Sequence, residues 1–196
     1  PTHCTSSAAS DVYKRQQEIE DILVLKNNKG TEDNRVRKLD YSIQVSELFY
    51  QRFIEDKDIS LFSPNTVPGL YESFGTDSFN ELYERYEQDE SIPKKTIKAQ
   101  ELIIDLLKER AETGRIYIMN IDHCNTHSSF KDKVYMSNLC QEITLPTDPI
   151  QHIDDGDAEI ALCILSAINV GKLTKNLDEL EELCDLSVRG LEELID

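Results

Sequence analysis

The sequence predicts an α/β fold, and two kinds of segment predict it. Several stretches repeat apolar residues at helical spacing. Between them lie two short apolar runs without alternation, RIYIMNI (115–121) and AEIALCILSAIN (158–169). Unalternating runs of that length mark strands covered on both faces, as in a barrel or a helix-covered sheet. Helices interleaved with such strands argue for α/β architecture.

The elements follow in chain order. Residues 1–16, PTHCTSSAASDVYKRQ, are small and polar and have no apolar period. The string SSAASDVYKRQ reads like a translated adaptor or assembly scar, so this tail, with His3 and Cys4, stands apart from the domain expected over 17–196. Tyr41, Val45, Leu48, Phe49 and Phe53 share a helical stripe, which predicts a helix over 41–55. Residues 58–62 read as a short strand, followed by the turn-rich loop SPNTVPGLYESFG. Ser78 and Glu81 have capping-box spacing and open a helix that places Phe79, Leu82, Tyr83 and Tyr86 on one face. Ala99, Leu102, Ile103, Leu106 and Leu107 predict another helix, with Gly114 as its stop. A last helix over 177–195 carries Leu180, Leu183, Cys184, Leu191, Leu194 and Ile195 on one stripe, which puts Cys184 in the core opposite a charged face.

Composition narrows the function classes. At 196 residues the chain suits one domain that buries roughly 70% of its unfolded surface. Its 39% hydrophobic and 30% charged residues are those of a soluble globular protein. Asp plus Glu number 38 against 21 Lys plus Arg, a net charge of −17 that repels polyphosphate and argues against nucleic acid or a membrane surface as partner. A small phosphorylated ligand would need backbone amides or a helix N-terminus to oppose that field. No stretch reaches the roughly 20 apolar residues of a membrane span, and no signal-peptide layout opens the chain. Five irregularly spaced cysteines are not a secreted disulfide framework, so a cytoplasmic setting is expected.

The most informative stretch is MSNLCQEITLP, residues 136–146. Asn138, Cys140 and Glu142 are spaced i, i+2, i+4, and an extended backbone would project all three to one side. That side would offer an amide to hold an oxygen, a thiol to react and a carboxylate to take a proton. The plainer reading is an edge strand with a buried cysteine and two solvated polar groups. Spacing leaves both open. Cys163, inside IALCILSA, reads as core packing unless the fold brings it to another thiol as a redox pair. Asp122, His123, Cys124 and His127 in IDHCNTH invite a zinc reading with Cys140 as a further ligand, but no second closely spaced ligand pair accompanies them. The alternative there is a polar loop hydrogen-bonding across a strand end. IDDGDAE lacks the spacing of an EF-hand, Gly171-Lys172 lacks the earlier glycine of a phosphate loop, and no GxGxxG is present.

Taken together, LVLKNNKG, NRVRKLDYSIQ, LFSPNTVPGLYESFG, KAQELIIDLLKERAETGRIYIMNIDHCNTH, SNLCQEITLPT and EIALCILSAINVG resemble consecutive segments of the large catalytic subunit of class I ribonucleotide reductases, over residues 17–196. The resemblance implies part of a ten-stranded α/β barrel with the radical cysteine on a central loop. It implies reduction of ribonucleoside diphosphates by thiyl-radical chemistry. Cys140 would abstract the 3′ hydrogen, Glu142 would take the 3′-hydroxyl proton, Asn138 would hold the substrate hydroxyls, and Cys163 would be one member of the electron-donating pair. It further implies a small radical-generating partner subunit with a metal-based cofactor, ATP and dNTP effectors, a thioredoxin- or glutaredoxin-type reductant and a homo-oligomer. None of those cofactors is expected on this chain itself.

The family's large subunit is several times longer. Its nucleotide-sensing domain, the partner of Cys163, the phosphate loop, the radical-relay tyrosines and the C-terminal cysteines have no counterpart here, and 128–136 is short for the family. The piece alone is therefore expected to be inactive, with open strand edges prone to association. A zinc-stabilised structural or interaction domain around His123, Cys124 and His127 is the alternative function.

Overall fold

A computed structural model of the chain describes residues 19–29, 33, 35–36, 40–148, 150, 152–154, 156, 158–172 and 177–195. The expected tail, 1–16, lies outside the described residues. The chain divides into two units, Pro1–Glu159 and Ile160–Asp196.

In the first unit the elements run α1 (Ile19–Leu23), β1 (Ser42–Val45), α2 (Glu47–Ile54), β2 (Asp58–Phe62), a 3₁₀ turn (Pro64–Thr66), α3 (Leu70–Ser73), α4 (Ser78–Gln88), β3 (Lys94–Lys98), α5 (Ala99–Thr113), β4 (Tyr117–Asn120) and α6 (Ile121–Thr126). β1 pairs in parallel with β4, Ile43 opposite Ile118 and Gln44 opposite Met119. β2 pairs antiparallel with β3, Ser60 opposite Thr96. The mixed α/β class stands, while the described strands form two two-stranded sheets and close no barrel.

Two apolar clusters hold this unit together. The first joins Ile43 and Val45 of β1 to Phe49, Ile59, Leu61, Leu102 and Leu106, with Ile19 and Leu23 of α1 against them. The second joins Phe62, Leu70, Phe74, Phe79 and Tyr83 to Met119, Ile121 and Val134. Arg52 links three elements: its guanidinium donates to both Glu87 carboxylate oxygens at 2.6 Å and to the Asp58 carbonyl at 3.0 Å, and lies 5.1 Å from the Tyr83 ring centroid. A planar fork matched to a carboxylate is the geometry in which an ion pair adds rigidity.

Several expectations need correction. The helix expected over 41–55 begins only at Glu47, and Tyr41 and Val45 flank and end a strand. Residues four apart share a side in a helix and also in a strand, so the Tyr41–Val45 spacing could not separate the two. Every β1 residue is buried, which also hides alternation. The loop after β2 contains the 3₁₀ turn and α3. At α4 the N-cap is Asp77 without a side-chain cap, and Ser78 is already helical, so no capping box forms. α5 ends as expected at Gly114, whose φ of 64° only glycine adopts freely and whose N–H donates to the Arg110 carbonyl. Leu107, however, faces outward. In 115–121 only Tyr117–Asn120 is strand, with Met119 buried and Asn120 exposed, so this strand is not covered on both faces.

The second unit departs most. No residue of 160–169 is in a strand, and Leu162 and Leu165 are 81% and 80% exposed. The expected strand pairs only at Glu159, which bridges Asp148 within the first unit. An apolar run becomes a buried strand only when neighbours satisfy its backbone and cover its faces. A 3₁₀ turn (Val170–Lys172) and α7 (Leu177–Glu192) follow. Leu180, Leu183 and Leu191 are half-buried, but Cys184 is exposed and not core. None of the described residues of this unit is buried, so its stripe has little to pack on.

Candidate active site

The site loop is prepared by three side chains that bond to backbone. β1 turns Ile43 and Val45 toward the first cluster, which sends buried Gln44 to the opposite face, where its Nε2 donates to the Tyr135 carbonyl at 2.7 Å. On α6, Asn125 accepts from the Val134 N–H at 2.8 Å through Oδ1 and donates to the Val134 carbonyl at 3.0 Å through Nδ2. Asp122, one turn earlier, accepts the N–H of Glu47 at 2.6 Å and so fixes the start of α2 to α6. Tyr135 stacks on Tyr71 with ring centroids 5.8 Å apart, and the Lys133 ammonium lies 4.3 Å from the Tyr135 ring.

Beyond these anchors, residues 137–143 close on themselves. The Ser137 hydroxyl donates to the Ile143 carbonyl at 2.6 Å and lies 3.1 Å from Asn138 Oδ1. The Ile143 N–H donates to Asn138 Oδ1 at 3.0 Å. Gln141 donates to the Asn138 carbonyl twice, from its backbone N–H at 3.2 Å and from Nε2 at 3.0 Å. The resulting turn leaves Leu139 and Cys140 at the tip and gives Gln141 a φ of 69°, left-handed and unfavourable for a residue with a Cβ. Gln141 Oε1 is buried and has no hydrogen-bond partner among the described residues.

The extended backbone expected for 138–142 is therefore absent. The one-side argument from alternation fails, because a turn replaces it. What the loop does bring together is the set itself: Asn138 half-buried, Cys140 exposed at the tip and Glu142 exposed beside it. Asn138 spends its oxygen on loop closure, while its amide nitrogen donates no hydrogen bond among the described residues. Chemically the loop offers an accessible thiol, a solvated carboxylate and an amide donor on a stiff turn. Cys163 is exposed in the second unit.

The zinc expectation fares differently. His123 and His127 pack edge to face with centroids 5.4 Å apart on the α6 turn. Cys124 packs against the second apolar cluster, and burial, followed by the Asp122 charge, pushes its thiol pKa up, away from the thiolate that binds metal. Among the described residues no three His, Cys, Asp or Glu side chains converge as a ligand set. The segment is a helical turn, not a loop, and its Asp122 bonds to the start of α2.

Gln44, Asn125 and Ser137 escaped the reading of the sequence. A polar residue between Ile43 and Val45 in a strand of apolar neighbours was the available signal for Gln44. Nothing periodic marks the other two.

Comparison with protein families matches residues 10–196 to the ribonucleotide reductase barrel domain. Among curated proteins, the chain is 60% identical over 184 residues to the ribonucleoside-diphosphate reductase subunit alpha of Haemophilus influenzae, covering 91% of this chain and 24% of that protein. It is 53% identical over 184 residues to the protein of the same name from Buchnera aphidicola subsp. Schizaphis graminum, with the same coverage. It is 54% identical over 138 residues to ribonucleoside-diphosphate reductase 1 subunit alpha of Escherichia coli, covering 68% of this chain and 18% of that protein. The chain thus spans about a quarter of the length of the first two of these relatives.

Proposed function

This chain belongs to the ribonucleotide reductase barrel-domain family, and from that premise we propose that it supplies the thiol-bearing loop of a ribonucleoside-diphosphate reductase alpha subunit. The observation that carries the reading is the closed turn 137–143, which holds Cys140 at its tip between Asn138 and Glu142.

In this reading Cys140, as a thiyl radical, takes the 3′ hydrogen atom of the ribose. Glu142 accepts the 3′-hydroxyl proton, and the Asn138 amide donates to a substrate hydroxyl oxygen. The 2′-hydroxyl leaves as water, and two electrons come from a cysteine pair that includes Cys163 and becomes a disulfide. Cys140 then returns its hydrogen to the 3′ carbon. The sum is ribonucleoside diphosphate plus dithiol giving deoxyribonucleoside diphosphate, disulfide and water, for use in DNA replication. A thioredoxin- or glutaredoxin-type protein re-reduces the pair, and a partner subunit with a metal-based radical cofactor generates the thiyl.

The two sheets are then portions of a ten-stranded barrel, an arrangement supported by the parallel β1–β4 pair. Cys140 is exposed here, and a radical needs a dry enclosure, so the enclosing strands and phosphate contacts come from the longer subunit. ATP and dNTP control and homo-oligomerisation belong to that subunit too, in the cytoplasm. No helix among the described residues is long and apolar enough to cross a membrane.

The test is Cys140→Ser in a full-length subunit carrying this segment. Deoxynucleotide formation, measured with the radical-generating subunit and a dithiol, should vanish, because serine cannot carry the reversible radical. Turnover at the parental rate refutes the assignment.

A further inference from the structure

Asn125 behaves as a surrogate strand. Its side-chain amide reproduces a backbone ladder against Val134, accepting from the N–H at 2.8 Å and donating to the carbonyl at 3.0 Å. The same Nδ2 also lies 3.1 Å from the Ile121 carbonyl, which locks the amide to its own helix. Val134 is fully buried, and three residues later Ser137 begins the closed turn that carries Cys140. Gln44 holds the intervening Tyr135 carbonyl from β1. The Cys140 loop is therefore hung from two fixed points, and Asn125 is the one that satisfies both backbone groups of a buried residue.

Gly75 makes that reach possible. A Cβ there would come within 2.7 Å of Ile121 Cγ1 and 2.9 Å of Asn125 Nδ2, and the φ of +79° already disfavours any side chain. Ile121 is buried and the Asn125 amide is held by three hydrogen bonds, so a shift of either group breaks packing or bonds. A methyl at residue 75 would push the Asn125 amide off Val134.

We propose that Asn125, seated on Gly75, is a positioning residue that sets where Cys140 stands relative to the substrate. The inference rests on Cys140 being the reacting thiol. Asn125 touches no substrate and acts only through Val134. Misplacement of a reacting group by about 1 Å costs rate on the order of a hundredfold while leaving remote binding contacts intact.

The experiment uses the full-length subunit with its radical-generating partner. Asn125→Asp keeps the size and the acceptor but sets a carboxylate oxygen against the Val134 and Ile121 carbonyls. It should lower kcat about tenfold or more with KM within about twofold of the parent. Gly75→Ala should do the same, and the double variant should be no worse than the poorer single, since both break one contact. If Gly75→Ala does not fold, the kcat and KM of Asn125→Asp decide alone. Parental kcat in Asn125→Asp, a loss matched by an equal rise in KM, or additive losses in the double variant overturn the proposal. Cys140→Ser is measured beside them. Turnover in that variant overturns the functional reading underneath, whereas its loss together with parental kcat in Asn125→Asp overturns this inference alone.

Discussion

Replacing Tyr83 with phenylalanine removes a single oxygen atom from the inside of the first unit. That oxygen accepts the Ser60 N–H at 2.7 Å and donates to the Ser60 carbonyl at 2.8 Å, so one hydroxyl closes both backbone groups on the free side of β2. Tyr83 and Ser60 are 4% and 2% exposed, so water cannot take its place without opening the packing. Two net hydrogen bonds contribute about 1 kcal/mol each, and leaving a buried N–H and carbonyl unpaired adds about 1 kcal/mol or more. The ring contacts survive: Phe62 and Phe79 stay 5.6 Å away and Arg52 remains over the face. The expected loss is therefore about 3 kcal/mol, a polar loss without a cavity. The control is Tyr86→Phe, whose exposed hydroxyl donates only to the Pro68 carbonyl and should cost about 0.5 kcal/mol. The chain has no tryptophan, so urea unfolding is followed by far-UV circular dichroism, with the slope unchanged and the midpoint shifted. Burial raises the Tyr83 pKa above the ordinary phenol range, so the native state favours the protonated form. Its contribution stays constant below about pH 10 and fades only above it. A Tyr83→Phe midpoint no lower than that of Tyr86→Phe would refute the reasoning.

Two further predictions test the packing and the charges. Leu106 is 1% exposed and Leu107 51%, so Leu106→Ala should cost about 3 kcal/mol and Leu107→Ala less than about 0.5, read from the same unfolding curves. The hydrogen bond from Lys26 holds the Asp40 carboxyl below the ordinary carboxylate range, with burial opposing it and the Lys26 and Arg115 charges adding to the lowering. Asp40→Asn should therefore be less stable than the parent at neutral pH. The gap should begin to close below about pH 4 and disappear as pH falls through the lower folded-state value; a gap that widens on acidification would reverse the sign.

The elements legible in the sequence are those whose own chemistry closes them. β2 was readable because turn residues bound it, and α5 because Gly114 supplies the left-handed stop its backbone requires. β1 is hidden in the sequence because Tyr41 and Val45 satisfy two periodicities at once. Residues 160–169 differ for another reason: their apolar character states what the segment would bury, and only partner strands decide whether it is buried. Cys184 follows the same rule, a residue on an apolar stripe that nothing in its unit covers. At the site, the residue types of 138–142 were legible and their geometry was not. Side-chain-to-backbone bonds from Ser137, Asn138 and Gln141 override the extended form, and such bonds leave no periodic trace.

The same bonds explain how so small a loop can be both rigid and chemically available. Four bonds that stiffen 137–143 are turned inward: the Ser137 hydroxyl on Ile143, the Asn138 oxygen on the Ile143 N–H and both Gln141 donors on the Asn138 carbonyl. What remains outward is the Cys140 thiol, the Glu142 carboxylate and the Asn138 amide nitrogen. Asn138 is thereby reduced from an acceptor and donor to a donor alone, which suits a substrate hydroxyl oxygen and excludes a role as proton acceptor. Glu142 is then the one acceptor the loop presents for a proton. The carboxylate also adds to a chain of net charge −17, a field that opposes any anionic ligand, the proposed diphosphate substrate included. Under the function proposed above, phosphate binding is expected from outside residues 137–143, which leaves this loop to the sugar.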